Sequence, residues 1–280
     1  MNPYYKTDFY SKWNKVSSCI IVSTGRTGTM FFEDFFNTNF KNVKCLHEPH
    51  PDLFSLGTTS IRDNWSSTKT KRNLKYSRYN IYKELKENNF KTYIESNNNI
   101  VLLLKDYLKV FPNTKVLHIV REPSSYIMSA YSKKHGKTQY ALFDEKDPRP
   151  RLAATDYEND SLFNEWNQLG RFEKIAWFWK KYNQLIEENA PSKNYKLIKY
   201  EDVFSENTRK TSINEIISFF NLKDTQIVSD DKLLEKLKER KNHSPNYSIN
   251  APSEWNSSQK EFFKQHIAEE ALKYGYKLPF

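Results

Sequence analysis

Cysteine is nearly absent. Cys19 and Cys45 are the two in 280 residues. Two thiols without metal-type spacing exclude a zinc site, and no other ligand cluster asks for a metal, since His135, His243 and His266 are scattered. Both cysteines stand in apolar, strand-like runs, so buried free thiols in a reducing compartment are expected in place of a disulfide framework. Long apolar runs are missing as well. No stretch approaches the roughly 20 consecutive apolar residues of a membrane span. The opening residues, Met1 to Lys15, are polar and aromatic and lack the apolar core of a secretory signal. The expectation is a cytoplasmic protein without a membrane span. No internal repeat is present.

What remains describes a folded α/β protein. The length suits one sizeable core with excursions, and a single domain over 1–280 is expected. The apolar residues are clustered and rich in aromatics, which argues against disorder. The formal charge of +10 invites a nucleic-acid partner. The lysines, however, are interleaved with Asp and Glu along the chain, the pattern of a solvated surface. No nucleic-acid partner is expected. A basic balance equally suits an enzyme whose substrate is a polyanion.

Five short apolar runs read as strands, over Ser17 to Thr24, Asn42 to His47, Thr92 to Ser96, Lys115 to Val120 and Tyr195 to Lys199. Helices are predicted over 27–36, 79–88, 98–111, 123–134, 162–189, 205–220, 230–239 and 257–274. Residues 55–75 are Ser/Thr-rich and read as irregular, 135–162 as a long excursion, and 240–256 as a polar loop. Alternating strands and helices, with strands that are apolar throughout, predict a three-layer α/β/α fold around a central, mostly parallel sheet. Such sheets bind ligands at the carboxyl ends of their strands. Gly25-Arg26, His47-Glu48, Glu95-Ser96-Asn97 and Arg121 all fall at predicted strand ends.

Two of these ends are suited to phosphate. Ser23-Thr24-Gly25-Arg26-Thr27-Gly28-Thr29 leads from a strand into a helix, and so does Arg121-Glu122-Pro123, with Ser129 following in the helix. Each offers backbone N–H groups, hydroxyls and a guanidinium where a strand hands over to a helix. Two such places suggest a ligand with phosphates at both ends. The first loop is not a Walker A sequence: the interval between Gly25 and Gly28 is shorter, and no lysine follows the second glycine.

The pattern resembles the nucleotide-dependent sulfotransferases, which use 3′-phosphoadenosine 5′-phosphosulfate (PAPS). Their 5′-phosphosulfate loop reads [KR]-[ST]-G-[ST], and Arg26-Thr27-Gly28-Thr29 matches it. Their 3′-phosphate site pairs a strand-end Arg with a Ser eight positions on, as Arg121 and Ser129 are spaced here. Tyr200-Glu201-Asp202 resembles the family's Y-E-D segment. The resemblance implies a P-loop nucleotide-hydrolase-like fold and PAPS as co-substrate without a metal. It places an adenine-facing aromatic at Phe31, which helical spacing equally assigns to the core. It also brings a late basic segment to the nucleotide, with Lys241 and Asn242 as candidates, where a solvated loop is the alternative.

Sulfuryl transfer by in-line displacement needs a base beside the acceptor hydroxyl and a cation against the leaving oxygen. Arg26 suits the second task. For the first, Val43-Lys44-Cys45-Leu46-His47-Glu48 resembles the strand end of tyrosylprotein sulfotransferases, where a glutamate is the base. Glu48 is preferred, with His47 next. Cytosolic small-molecule members place a His after a later strand, where this chain has Glu95-Ser96-Asn97. Glu95 is therefore a further base candidate, and Ser96 and Asn97 are candidate acceptor contacts. A carbohydrate or other polar small molecule is the expected acceptor, covered by the 135–162 excursion. Two readings compete with this one: a P-loop kinase or phosphotransferase, and a non-catalytic nucleotide-binding protein on the same fold.

Overall fold

Each of the five apolar runs forms a strand. They are β1 (Ser17–Ser23), β2 (Val43–His47), β3 (Thr92–Ser96), β4 (Lys115–Val120) and β5 (Tyr195–Lys199). The computed structural model describes residues 13, 15–132, 142–144, 151–229, 232, 233, 235 and 249–280. The strands lie in the order β2-β3-β1-β4-β5 in one parallel sheet with helices on both faces. β1, β3 and β4 are buried along nearly their whole length, which is why their sequences are apolar rather than alternating. After β1 the chain builds β2 and β3 on one side, then crosses to β4 on the other. That reversal leaves a crevice at the carboxyl end of β1, where ligands of doubly wound sheets bind.

The chain gathers into two compact units. The first is Met1–Ile119 with Leu185–Lys241, and the second is Val120–Gln184 with Asn242–Phe280.

In the first unit, α1 (Thr29–Asn39) presents Phe32, Phe35 and Phe36 to the core at helical spacing, and none is more than 1% exposed. They pack with Ile21, Ile94, Leu117 and Phe220. Residues 55–75, expected to be irregular, instead fall mostly within α2 (Phe54–Arg62) and α3 (Ser67–Ser77). The buried positions of α3 are Thr70, Leu74 and Ser77, spaced i, i+4, i+7, and those of α2 are Gly57 and Thr58. With Gly, Ser and Thr at these positions apart from Leu74, the hydrophobic period is invisible in the sequence. Ser66 caps α3 by accepting from the Lys69 N–H at 3.3 Å. α4 (Tyr79–Glu87) follows the prediction, whereas 98–111 divides into a 3₁₀ helix, Asn98–Leu103, and α5 (Leu104–Val110).

The second unit holds α6 (Pro123–Tyr131), most of α7 (Arg171–Asn189), α10 (Ser257–His266) and α11 (Ala268–Lys273), while α8 (Tyr200–Phe204) and α9 (Arg209–Phe219) belong to the first. α7 starts later than predicted because the Trp166 segment forms a separate 3₁₀ turn, Trp166–Gln168. The final helix is broken at Ile267, whose backbone ends α10 and opens α11. Most of the helix predicted over 230–239 lies outside the described residues. Among the described residues, no helix is long and apolar enough to cross a membrane.

Cys19 and Cys45 are free and fully buried. Burial pushes the Cys19 thiol up to about 12, and burial raises Cys45 as well. Both thiols therefore stay protonated across the physiological range. Neither should react with an aromatic disulfide reagent in the native protein near neutral pH, and both should react once denaturant is added. Fast labelling of either under native conditions would contradict the packing.

Candidate active site

The pairing register of the three strands on the left of the sheet sets the site. Ile21 of β1 and His47 of β2 both stand opposite Ser96 of β3. Continuing in register beyond Ser96 brings Ser23, Glu48 and Asn98 to the same edge. The Asn97 N–H extends the ladder by bonding the Ile21 carbonyl at 3.0 Å.

The loop after β1 is held in a rare backbone conformation. Gly25, Arg26 and Gly28 have φ of 84°, 59° and 72°. Gly28 is the N-cap of α1 and brings no side-chain hydrogen bond to the helix entrance. Helix N–H dipoles there favour an anion. A Cβ on Gly28 would sit 2.8 Å from Phe204 Cζ, so glycine is required both by conformation and by space. Beneath the loop, Ser23 Oγ accepts from the Gly25 N–H at 3.0 Å and from Thr27 Oγ1 at 2.7 Å. Thr27 is fully buried and Thr29 is 7% exposed, so the loop offers its backbone and Arg26 outward more than the Thr27 hydroxyl.

Glu48 is also left-handed, with φ of 44°. Among the described residues, six of the eight non-glycine residues at positive φ are Asn or Phe, and the charged exceptions are Arg26 and Glu48. A non-glycine residue in this region costs about 1–2 kcal/mol, and such strain gathers at functional sites. The Glu48 N–H bonds the Ser96 carbonyl at 3.1 Å, and its Oε1 lies 3.4 Å from Asn98 Nδ2. His47 Nδ1 is 3.0 Å from the same Ser96 carbonyl. A carbonyl only accepts, so Nδ1 carries the proton and a neutral ring keeps its lone pair on Nε2.

Glu95 has a different role from the one expected of it. Its carboxylate is fully buried and ion-paired with Arg78, at 2.5 Å from Nη2 and 2.8 Å from Nε. Tyr93 Oη and Asn97 Nδ2 donate to it at 2.8 Å each, and Tyr107 Oη at 3.4 Å. Burial, then the Glu95 charge, raises both tyrosine pKa values, so the hydroxyls remain donors. Burial opposes the Arg78 charge, but Glu95 outweighs it and holds the guanidinium protonated. A carboxylate with all its lone pairs taken and no solvent access cannot collect a proton from an acceptor. Ser96 and Asn97 are likewise fully buried; the Ser96 hydroxyl bonds the Thr29 carbonyl at 3.0 Å, and Asn97 Oδ1 accepts from the Asn99 N–H at 2.9 Å. Arg78 Nη1 also bonds the Pro51 carbonyl at 3.0 Å, anchoring the segment that follows Glu48.

Arg121 and Ser129 belong to the second unit. Both are nearly buried, at 9% and 3% exposure. Trp179 Nε1 donates to the Arg121 carbonyl at 2.9 Å, and the Tyr276 hydroxyl to the Val120 carbonyl at 3.3 Å, which fixes the backbone at the strand end. Glu122 caps α6 by accepting from the Ser124 and Ser125 N–H groups at 2.9 and 2.7 Å, with Pro123 in the first turn as predicted. Phe31 lies in the core at 9% exposure, 5.5 Å from the Phe204 ring, which is the packing alternative to an adenine platform. Lys241 and Asn242 lie outside the described residues, as does much of 135–162. Among the described residues, no three His, Cys, Asp or Glu side chains gather as metal ligands would.

Asn98 and Arg78 were not anticipated. Asn98 had a signal in the Asn run after Ser96; Arg78, the cap residue between α3 and α4, had none.

A family model described as a sulfotransferase domain matches residues 17–273. Among solved structures, the sulfotransferase domain from the curacin biosynthetic pathway is similar over 94% of this chain and 99% of that one, at 14% identity and a TM-score of 0.53. A sulfotransferase from Alicyclobacillus acidocaldarius is similar over 94% of this chain and 97% of its own, at 13% identity and a TM-score of 0.48. The first likeness is one of fold. No curated protein matches the chain.

Arg78→Ala would leave the Glu95 charge buried without its partner. It should cost about 3–5 kcal/mol of stability in urea denaturation. A loss below about 1 kcal/mol, the worth of an exposed pair, would show that the network is not a buried one.

Proposed function

Because this chain belongs to the sulfotransferase domain family, we propose that it transfers the sulfuryl group of PAPS to a hydroxyl of a small-molecule or saccharide acceptor, with Glu48 as base. The observation that carries this reading is the left-handed backbone shared by Arg26 and Glu48, a cation and a carboxylate, just past two strand ends. Glu48 bonds Asn98, and Asn98 bonds Ser23 beneath the loop that carries Arg26. Opposite charges at one edge are what proton removal and leaving-group stabilisation require.

The residues present fit the nucleotide. The loop from Gly25 to Thr29 holds left-handed backbone at Gly25, Arg26 and Gly28, and Gly28 brings no side-chain hydrogen bond to the helix entrance. Gly28 and Thr29 offer backbone N–H groups, and Arg26 a guanidinium, to the 5′ end. Arg121 and Ser129 are assigned to the 3′-phosphate. Bound PAPS supplies an activated sulfuryl group and a phosphate leaving group. As the acceptor oxygen bonds sulfur and the sulfur–oxygen bond to the 5′-phosphate breaks, Glu48 would take the acceptor's proton on its carboxylate, and Arg26 would set positive charge against the bridging oxygen, where negative charge builds. The Nε2 lone pair of His47 is the alternative proton acceptor. The same reading takes the enzyme to be cytoplasmic, in keeping with two buried free thiols.

Glu48→Gln should lower turnover by about 10²–10⁴-fold, the usual worth of a general base, and leave nucleotide affinity unchanged. A loss confined to nucleotide binding would remove Glu48 from the base role. Calorimetry should give tighter binding of adenosine 3′,5′-bisphosphate than of 5′-AMP or of ATP with magnesium. Arg121→Ala should weaken the bisphosphate by about 2–4 kcal/mol. Preference for magnesium-ATP would instead favour a phosphotransferase.

A further inference from the structure

We propose that Asn98 is a positioning residue that ties the aim of the Glu48 carboxylate to the shape of the loop after β1. The inference rests on Glu48 being the base and adds what directs it.

Hydrogen-bond polarity carries the argument. The Gly25 backbone N–H can only donate, and it donates to Ser23 Oγ at 3.0 Å. Thr27 Oγ1 donates to the same oxygen at 2.7 Å. A hydroxyl oxygen has two lone pairs, and both are now taken. The Ser23 proton must therefore point outward, and it meets Asn98 Oδ1 at 2.7 Å. That bond decides which way the Asn98 amide faces. With Oδ1 toward Ser23, Nδ2 turns to Glu48 Oε1 at 3.4 Å. An ionised carboxylate can only accept. Donors and acceptors thus alternate without a fault from an obligate donor in the loop to an obligate acceptor at Glu48, and neither end permits the chain to run backward.

Three further observations support the role. Ser23 is fully buried, which strengthens each bond in the series. A Cβ at Gly25 would lie 3.3 Å from Asn98 Nδ2, so the amide rests directly against the loop. The strand register sets Ser23 and Asn98 level with each other, two residues past the Ile21–Ser96 pair. Asparagine alone among side chains of this length offers one acceptor and one donor face. Aspartate would set oxygen against the Glu48 oxygen, and leucine would offer neither bond.

The test compares Asn98→Asp and Asn98→Leu, alone and with Glu48→Gln. Turnover is read as sulfate leaving radiolabelled PAPS, with water or a hydroxyl compound as acceptor. Nucleotide affinity is read by calorimetry with adenosine 3′,5′-bisphosphate. A third readout needs no nucleotide: the NMR chemical shift of the Glu48 carboxyl carbon. Both single variants should lose about 10–100-fold in kcat, the scale of a small misplacement of a reacting group, with bisphosphate affinity unchanged. The Glu48 resonance should move in both, because its hydrogen-bonding partner is gone. With Glu48→Gln already present, Asn98→Asp should bring no additional loss, as expected of two groups acting as one unit. Full turnover in Asn98→Asp, an unmoved resonance, or losses that multiply in the double variant would overturn the role. Should Asn98→Leu fail to fold, the near-isosteric Asn98→Asp still decides. Normal turnover in Glu48→Gln would overturn the base assignment itself, whereas an inactive Glu48→Gln beside a fully active Asn98→Asp would overturn the Asn98 role alone.

Discussion

The parallel register of β2, β3 and β1 is the constraint on which the site depends. Ser96 stands opposite both Ile21 and His47, so the chain leaves all three strands at one level. A slip of one residue would turn every side chain to the other face. It would separate Ser23 from Asn98 and send Glu48 away from the crevice. Both faces of β1 and β3 are packed, so such a slip would exchange differently shaped side chains between two buried layers and carry Glu95 away from Arg78. The chemistry at the edge is therefore fixed by hydrophobic burial several residues below it.

Two costs are concentrated beside the site, and each is offset locally. Arg26 and Glu48 hold left-handed backbones that most residues avoid. The Glu48 N–H is held by the Ser96 carbonyl, and the loop around Arg26 by the Ser23 hub. The second cost is a fully buried carboxylate at Glu95, met by Arg78 and by tyrosine and asparagine donors. Since Arg78 also grips the Pro51 carbonyl, that ion pair fastens the segment after Glu48 to the floor of the sheet. The arrangement separates tasks between two glutamates at neighbouring strand ends: Glu95 is spent on architecture, and Glu48 keeps a partly exposed carboxylate.

Much of this was legible in the sequence, and the physical reason differs by element. The strands were readable because buried parallel strands must be short, continuous apolar runs, and Cys19 to Val22 or Val116 to Val120 can be little else. The loop was readable because glycine spacing and a strand-to-helix handover leave a local signature. Helices α2 and α3 were not readable, since apart from Leu74 their buried positions are Gly, Ser and Thr, which leave no hydrophobic period. The burial of Glu95 was hidden for another reason. Its partner Arg78 sits in a different element, and charge pairing across elements leaves no trace in spacing. Asn98 was hidden because its importance lies in which way an amide faces, a property that only its neighbours determine.

The aromatic ring of Phe204 behind Gly28 has a consequence for how this enzyme can evolve. A residue of the short helix after β5 sets the room available to a loop far earlier in the chain. Positions 28 and 204 are thus bound to drift as a couple. A smaller residue at 204 would open a void under the helix entrance, and nothing bulkier at 28 could fill it without leaving the left-handed basin. The phenylalanine that trails Tyr200-Glu201-Asp202 is thus part of the geometry of the loop, although it comes from a distant element.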